Sequence, residues 1–182
     1  MKKALVREAR TMRDERQARV IGVIVNRVAT ARWIHSELAK DKENSDAILL
    51  IGRARAYDRH RIWNEWRKEI GLEREVDPER PVFVVATQCV EVGANLSFDA
   101  LVTEIASIDA LEQRFGRLDR DGRRGLTHAV IAAQKDQTRC KYEDPIYGGA
   151  VAATWAWLQG QVTTLERIVT LPAEGWKKPR QR

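Results

Sequence analysis

Gln113, Arg117 and Arg120 lie at i, i+4 and i+7 in the stretch IDALEQRFGRLDRDGRRG, residues 108–125. On a helix carried from 108 to 120 at 100° per residue, they share one face to within about 60°. Ile108, Leu111, Phe115 and Leu118 take the opposite face. If that apolar side docks on a core, the amide and both guanidiniums point away from it. Gly116 borders the arginine face. Glycine costs roughly 1 kcal/mol in a helix interior, and close approach of another group is a reason to keep it there. Two guanidiniums and an amide suit a triphosphate. Arginine stays charged at any working pH and offers phosphate oxygens a planar fork of donors. It also stabilises charge that develops on a transferring phosphoryl group, while a glutamine orients the attacking water. The plain alternative is a solvated basic helix, which is common for charge runs. The one-sided spacing and the glycine favour the phosphate. Arg123 and Arg124 lack that geometry and read as loop solvation or nonspecific phosphate contact.

The elements around this stretch alternate. RVIGVIVNR, DAILLIG, PVFVVAT, FDALVTEI and THAVIAA have the length and β-branched content of buried strands. Between them, VATARWIHSELAK and DRHRIWNEWRKEI carry apolar residues at helical spacing, with Ile62, Trp63, Trp66 and Ile70 on one face. Alternation of this kind predicts an α/β fold with a parallel sheet covered by helices on both faces. Ligands of such sheets are expected in the loops at the carboxyl ends of the strands. Residues 1–19 read as a charged leader, expected to be helical. Residues 20–140 form the α/β domain. Residues 141–170 read as a helical extension, with Trp155, Leu158, Val162 and Leu165 as a packing stripe, and 171–182 as a basic, disordered tail.

The 182 residues, 43% hydrophobic, suffice for one domain with a real core. The formal charge of +6 hints at polyanions, although 26 acidic residues keep the excess modest. Cys89 and Cys140 form no CxxC pair, which argues against a disulfide frame or a zinc site. The charged start has no apolar segment of the secretory kind, and no apolar run approaches the roughly 20 residues that a membrane helix needs. A cytoplasmic protein with no membrane partner is expected.

QRFGRLDR, residues 113–120, resembles motif VI of superfamily 2 helicases, Q-R-x-G-R-x-x-R. VATQCVEVGANLSFDALVTE is similar to motif V, a strand ending in Thr87 followed by Gly93 and a second strand. VIVNRVATARWIHSEL resembles motif IV, and LLIGRARAYDRHRIWNEW the strand, basic turn and helix after it. FDALVTEIASIDALEQRFGRLDR and DPIYGGAVAATWAWL are similar to the CRISPR-associated helicase–nuclease of type I systems.

The resemblance implies the second RecA-like lobe of an ATP-driven DNA translocase that unwinds and degrades invader DNA. It implies ATP with Mg²⁺ as cofactor. Gln113, Arg117 and Arg120 would face the γ-phosphate, with Gly93 and Asn95 near the nucleotide. Thr87 and Arg53, and more weakly Asn26, would touch the backbone of single-stranded DNA. Such contacts are independent of sequence, which suits a motor. Asn95 departs from the acidic residue frequent in motif V. Implied partners are a first RecA-like lobe in cis or trans, a CRISPR surveillance complex and a nuclease domain.

Within these 182 residues there is no Gly-Lys dipeptide for a phosphate-cradling loop, GxxxxGK[ST]. The single Asp-Glu, Asp14-Glu15, follows no apolar strand, and no His-Asp pair occurs. The Mg²⁺ is therefore expected on the first lobe, and no metal site is expected here. ATP hydrolysis is expected only when that lobe is supplied. A stand-alone, non-catalytic lobe that binds nucleic acid or regulates a partner stays open, as does another superfamily 2 translocase. Trp33, Trp63 and Trp66 read as core, His35 and His60 as solvated, Cys89 as a small filler, and Glu91 and Glu104 as loop-bonding groups.

Overall fold

Every residue of Val20–Ile24 (β1), Val82–Ala86 (β3) and Ala100–Glu104 (β4) is buried. Strands covered on both faces need side chains of this kind on both sides. Asp46–Leu50 (β2) and His128–Ala132 (β5) are only partly buried and form the edges. All five pair in parallel in the order β2-β3-β1-β4-β5. These are the five strands expected from the sequence, in a RecA-like α/β arrangement. The computed structural model describes residues 1–52, 56–91 and 95–161.

Helices Lys2–Asp14 (α1) and Val28–Leu38 (α2) cover one face of the sheet. The charged leader is thus a helix built into the core. Its Leu5, Val6, Ala9 and Met12 are buried with Ile34, Phe83 and Val102. Ala56–Ile70 (α3) covers the other face, where Trp63, Trp66 and Ile70 pack on the strands as the stripe predicts. Ala150–Gln161 (α5) packs near Ile108–Phe115 (α4), around Ile105, Leu111, Val151 and Leu158. Trp155 and Trp157 both lie against that cluster. Val162, Leu165 and the 171–182 tail lie outside the described residues.

His35 is not simply solvated. Its Nε2 lies 3.2 Å from the carbonyl of Ala47, linking α2 to β2. The side chain of His60 is not described.

The helix expected over 108–120 stops early. Ser107 caps α4, accepting from the Ala110 amide at 3.4 Å, and Gly116 closes it with α-region dihedrals. Residues 117–119 then leave the helix and run beside the entry to β4. The Phe98 amide donates to the Arg117 carbonyl at 2.7 Å, and the Asp119 amide to the Phe98 carbonyl at 2.8 Å. Phe98 itself is fully buried over the central strand. A Cβ on Gly22 would come within 2.6 Å of its ring. Glycine in β1 therefore lets the ring lie flat on the sheet, and the ring's backbone anchors the stretch that carries Arg117.

Candidate nucleotide and nucleic-acid site

Because α4 ends at Phe115, Gln113, Arg117 and Arg120 do not share a helical face. Gln113 is exposed on α4, Arg117 is buried, and Arg120 is exposed beyond the turn. Arg117 donates from Nε to the Val90 carbonyl at 3.1 Å and from Nη2 to the Glu91 carbonyl at 2.9 Å. Both acceptors are neutral. Burial pulls its pKa below the ordinary guanidinium value, and the neighbouring charge of Arg120 pulls the same way. It remains a cation at neutral pH. The Arg120 amide donates to Ser97 Oγ at 3.2 Å.

The residue that the helical wheel overlooks is Arg114, which is 0% exposed. Its Nε donates to Glu91 Oε1 at 2.9 Å. Nη1 donates to Thr103 Oγ1 and to the Glu104 carbonyl, both at 2.9 Å. Nη2 donates to Asn26 Oδ1 at 2.8 Å and to the Tyr147 hydroxyl at 3.1 Å. One guanidinium thus gathers the ends of β1 and β4, the loop after β3 and the segment before α5. A sequence signal exists. Arg114 is i+4 from Ala110 and i+3 from Leu111, both buried, so it falls on the docked stripe. A charge there needs a carboxylate and a full set of acceptors.

Asn26 is turned inward. Its Nδ2 donates to the Ile105 carbonyl at 2.7 Å, its Oδ1 takes Arg114, and its amide donates to Glu104 Oε2 at 2.9 Å. Its side chain is therefore engaged within the lobe. Gln88 Nε2 donates to the Asn26 carbonyl at 3.0 Å, which ties the start of the motif V stretch to the same hub. Thr87 is buried at the end of β3, with Oγ1 3.9 Å from Cys89 Sγ. Cys89 Sγ donates to the Leu50 carbonyl at 3.3 Å, and it is only partly buried. Glu91 and Glu104 are loop-bonding groups, as expected. Asn95 is exposed, and its carbonyl accepts from the Leu72 amide at 2.8 Å. Arg53 and Gly93 lie outside the described residues.

The candidates therefore divide between the two ends of the sheet. Asn26 and Thr87 sit at the carboxyl ends of strands. The backbones of Arg117 and Arg120 lie beside Phe98 and Ser97, at the opposite end of β4. The motif V segment spans both ends. The Arg117 side chain nonetheless reaches back to the turn after β3, where it meets Val90 and Glu91.

Arg124 is not loop solvation. It donates to Asp99 Oδ1 at 3.0 Å and pairs with Asp77. Arg74 joins Asp99 in the same network, and the Asp99 carboxylate also accepts the amides of Arg19 and Val20. Arg123 pairs with Asp121 at 3.2 Å and donates to the Arg74 carbonyl. These arginines staple the entry to β1 and β4. Among the described residues, no group of three or more His, Cys, Asp or Glu could hold a metal ion. No helix among them is long and apolar enough to cross a membrane.

Residues 17–123, more than half of the chain, match the family described as CRISPR-associated nuclease/helicase Cas3, C-terminal. The chain belongs to this Cas3 family. Strands β1 to β4, α4, Arg114, Arg117 and Arg120 fall within the matched span, and β5 lies beyond it. A CRISPR-associated nuclease/helicase Cas3 of Methanothermobacter thermautotrophicus is 32% identical over 109 residues, which are 59% of this chain and 12% of that protein. The Cas3–ATP crystal structure from T. fusca superimposes with a TM-score of 0.72 at 20% identity, over 95% of this chain and 21% of that one. A chain of a CRISPR RNA-guided surveillance complex, pre-nicking, gives the same TM-score and identity over 94% of this chain and 22% of its own. The chain thus spans a small part of these Cas3 proteins, and it has the fold of their C-terminal helicase lobe.

Proposed function

We propose that this Cas3-family lobe is the second half of an ATP-dependent DNA translocase, supplying arginine fingers to a nucleotide held mainly by a first RecA-like lobe. The observation that carries the reading is Arg117. It is a buried cation bonded to two neutral carbonyls, and Arg120 adds like charge beside it. A polyphosphate would give Arg117 the counter-charge that its two carbonyl partners do not. Gln113, exposed on the neighbouring turn, is assigned to the attacking water. Arg117 and Arg120 are assigned to charge on the transferring phosphoryl group. Gly93 and Asn95 are assigned to the nucleotide's surroundings. ATP supplies the phosphoryl group, and its Mg²⁺ belongs to the first lobe in this reading. That ATP is the nucleotide draws support from the T. fusca Cas3–ATP relative.

Thr87 and Arg53 are assigned to the backbone of single-stranded DNA, in a grip that does not read sequence. Asn26 supports that track from within through Arg114 and Gln88. Nucleotide-driven closure of the two lobes would then move the grip. A surveillance complex and a nuclease domain are the proposed partners in degrading invader DNA. The surveillance-complex structure among the relatives supports the first. The test is ATP turnover by a motor assembled from this chain and a first lobe. Arg117→Ala and Arg120→Ala should each abolish turnover and spare DNA binding. Normal turnover in both would overturn the reading.

A further inference from the structure

Tyr147 belongs to neither arginine stretch, yet it reaches the centre of the site. It sits in a tight loop between β5 and α5. The Asp144 amide donates to the Gly148 carbonyl at 2.9 Å, and the Gly148 amide returns a bond to the Asp144 carbonyl at 2.7 Å. The buried Asp144 carboxylate accepts from the amides of Ile146 and Tyr147 at 2.9 and 3.2 Å. Gly148 takes the positive φ of 56° that the turn requires. The phenol is thereby aimed at Arg114 Nη2, 3.1 Å away.

A guanidinium has five N–H donors. Arg114 is 0% exposed, so water supplies none of its acceptors. Glu91, Thr103, the Glu104 carbonyl and Asn26 take four donors. Tyr147 takes the fifth. Without its hydroxyl, Nη2 keeps Asn26 and the Glu91 carboxylate 2.8 Å away but loses one acceptor, and the group can re-aim toward Glu91. Glu91 would move with it, and the Glu91 carbonyl is one of the two that hold Arg117.

We infer that Tyr147 is a positioning residue: it completes the acceptor set of Arg114 and so fixes, through Glu91, where Arg117 points. It makes the segment after the sheet part of the nucleotide-facing apparatus. A change in how that segment is held is thereby felt at Arg117, and the reverse. The catalytic consequence rests on the reading of Arg117 given under Proposed function. The positioning itself does not.

Tyr147→Phe removes only the hydroxyl and keeps the ring that packs on the Leu111, Val151 and Leu158 cluster. Two readouts then separate the claims. In the full chain alone, ¹⁵N–¹H spectra follow the Nε–H groups of Arg114 and Arg117. Tyr147→Phe should speed solvent exchange of the Arg114 Nε–H by about tenfold and shift the Arg117 signal, with the strand amides still protected. Unchanged signals at both arginines would overturn the inference. In the assembled motor, the same variant should lower kcat by about tenfold with KM for ATP unchanged, the pattern of a group aimed only for the transition state. Wild-type kcat in the variant would overturn the catalytic consequence. If the wild-type motor shows no turnover, the motor reading fails, and the spectra alone decide the positioning.

Discussion

Glu91 and Arg114 form a 2.8 Å ion pair in which the guanidinium is wholly buried and the carboxylate keeps 14% of its side-chain surface. The pair joins the turn after β3 to α4, and the Glu91 carbonyl reaches on to Arg117. Removing one partner of such a pair leaves an uncompensated buried charge. Glu91→Ala should therefore lower unfolding free energy by about 3 kcal/mol, the low end for broken buried pairs because Glu91 touches solvent. Glu91→Gln keeps an acceptor and should cost less. Urea denaturation of the three proteins checks this. Equal stability for Glu91→Ala and wild type would show that the pair is not needed to hold the fold.

Gly22 and Phe98 make the second checkable contact. A methyl group at 22 would lie 2.6 Å from the ring, far inside contact distance. Gly22→Ala should destabilise by about 1–3 kcal/mol, the usual cost of overpacking a core. The double variant Gly22→Ala, Phe98→Leu should recover part of that loss. Additive losses in thermal denaturation would mean that the ring is not what excludes the methyl.

Gly116 behaves differently. A Cβ there meets only the carbonyls of Glu112 and Gln113, at 3.4 and 3.5 Å, and its φ of −64° suits any residue. Gly116→Ala should leave the chain as stable as before, or raise stability by about 0.4–1 kcal/mol through the unfolded state. In the assembled motor it should still impair ATP turnover, because the account reserves that space for an approaching nucleotide or lobe. Full activity in the variant would remove the functional reason for the glycine.

Much of this architecture is legible in the residues. VIGVI and VFVVA read as buried strands because both of their faces are apolar, and ALVTE reads as one from its apolar start; each is a buried strand. The end of α4 is not legible, because it depends on Phe98, which is remote in the chain and takes the Arg117 carbonyl. A wheel carried through 120 then places Arg117 on an exposed face, when it is buried against Val90 and Glu91. Arg124 has the same cause, since its partners Asp77 and Asp99 are brought to it by the sheet. Arg114 falls on the apolar stripe beside Ala110 and Leu111, and that position is its sequence signal. DPIYGGAVAATWAWL carries the family resemblance but not the role of Tyr147, which comes from a turn closed by Asp144 and Gly148.

His128, at the start of β5, supplies a pH test. Burial lowers its pKa below the usual histidine value, and Arg16 adds to the shift. The folded chain therefore binds this proton less readily than the unfolded chain. Its contribution to stability is intact above about pH 6.5 and is lost as pH falls from there through the depressed folded value. His128→Gln should flatten that part of the stability profile between about pH 7 and pH 5. An identical profile for both proteins would contradict the assignment.

ATP turnover by the assembled motor, wild type against Arg117→Ala, tests the central claim most directly. An arginine finger is worth about 10³-fold or more in kcat, so the variant should fall by at least that factor while its affinity for single-stranded DNA holds. A kcat within a few-fold of wild type would contradict the account, since the buried, like-charged arginine at its centre would then face no phosphate.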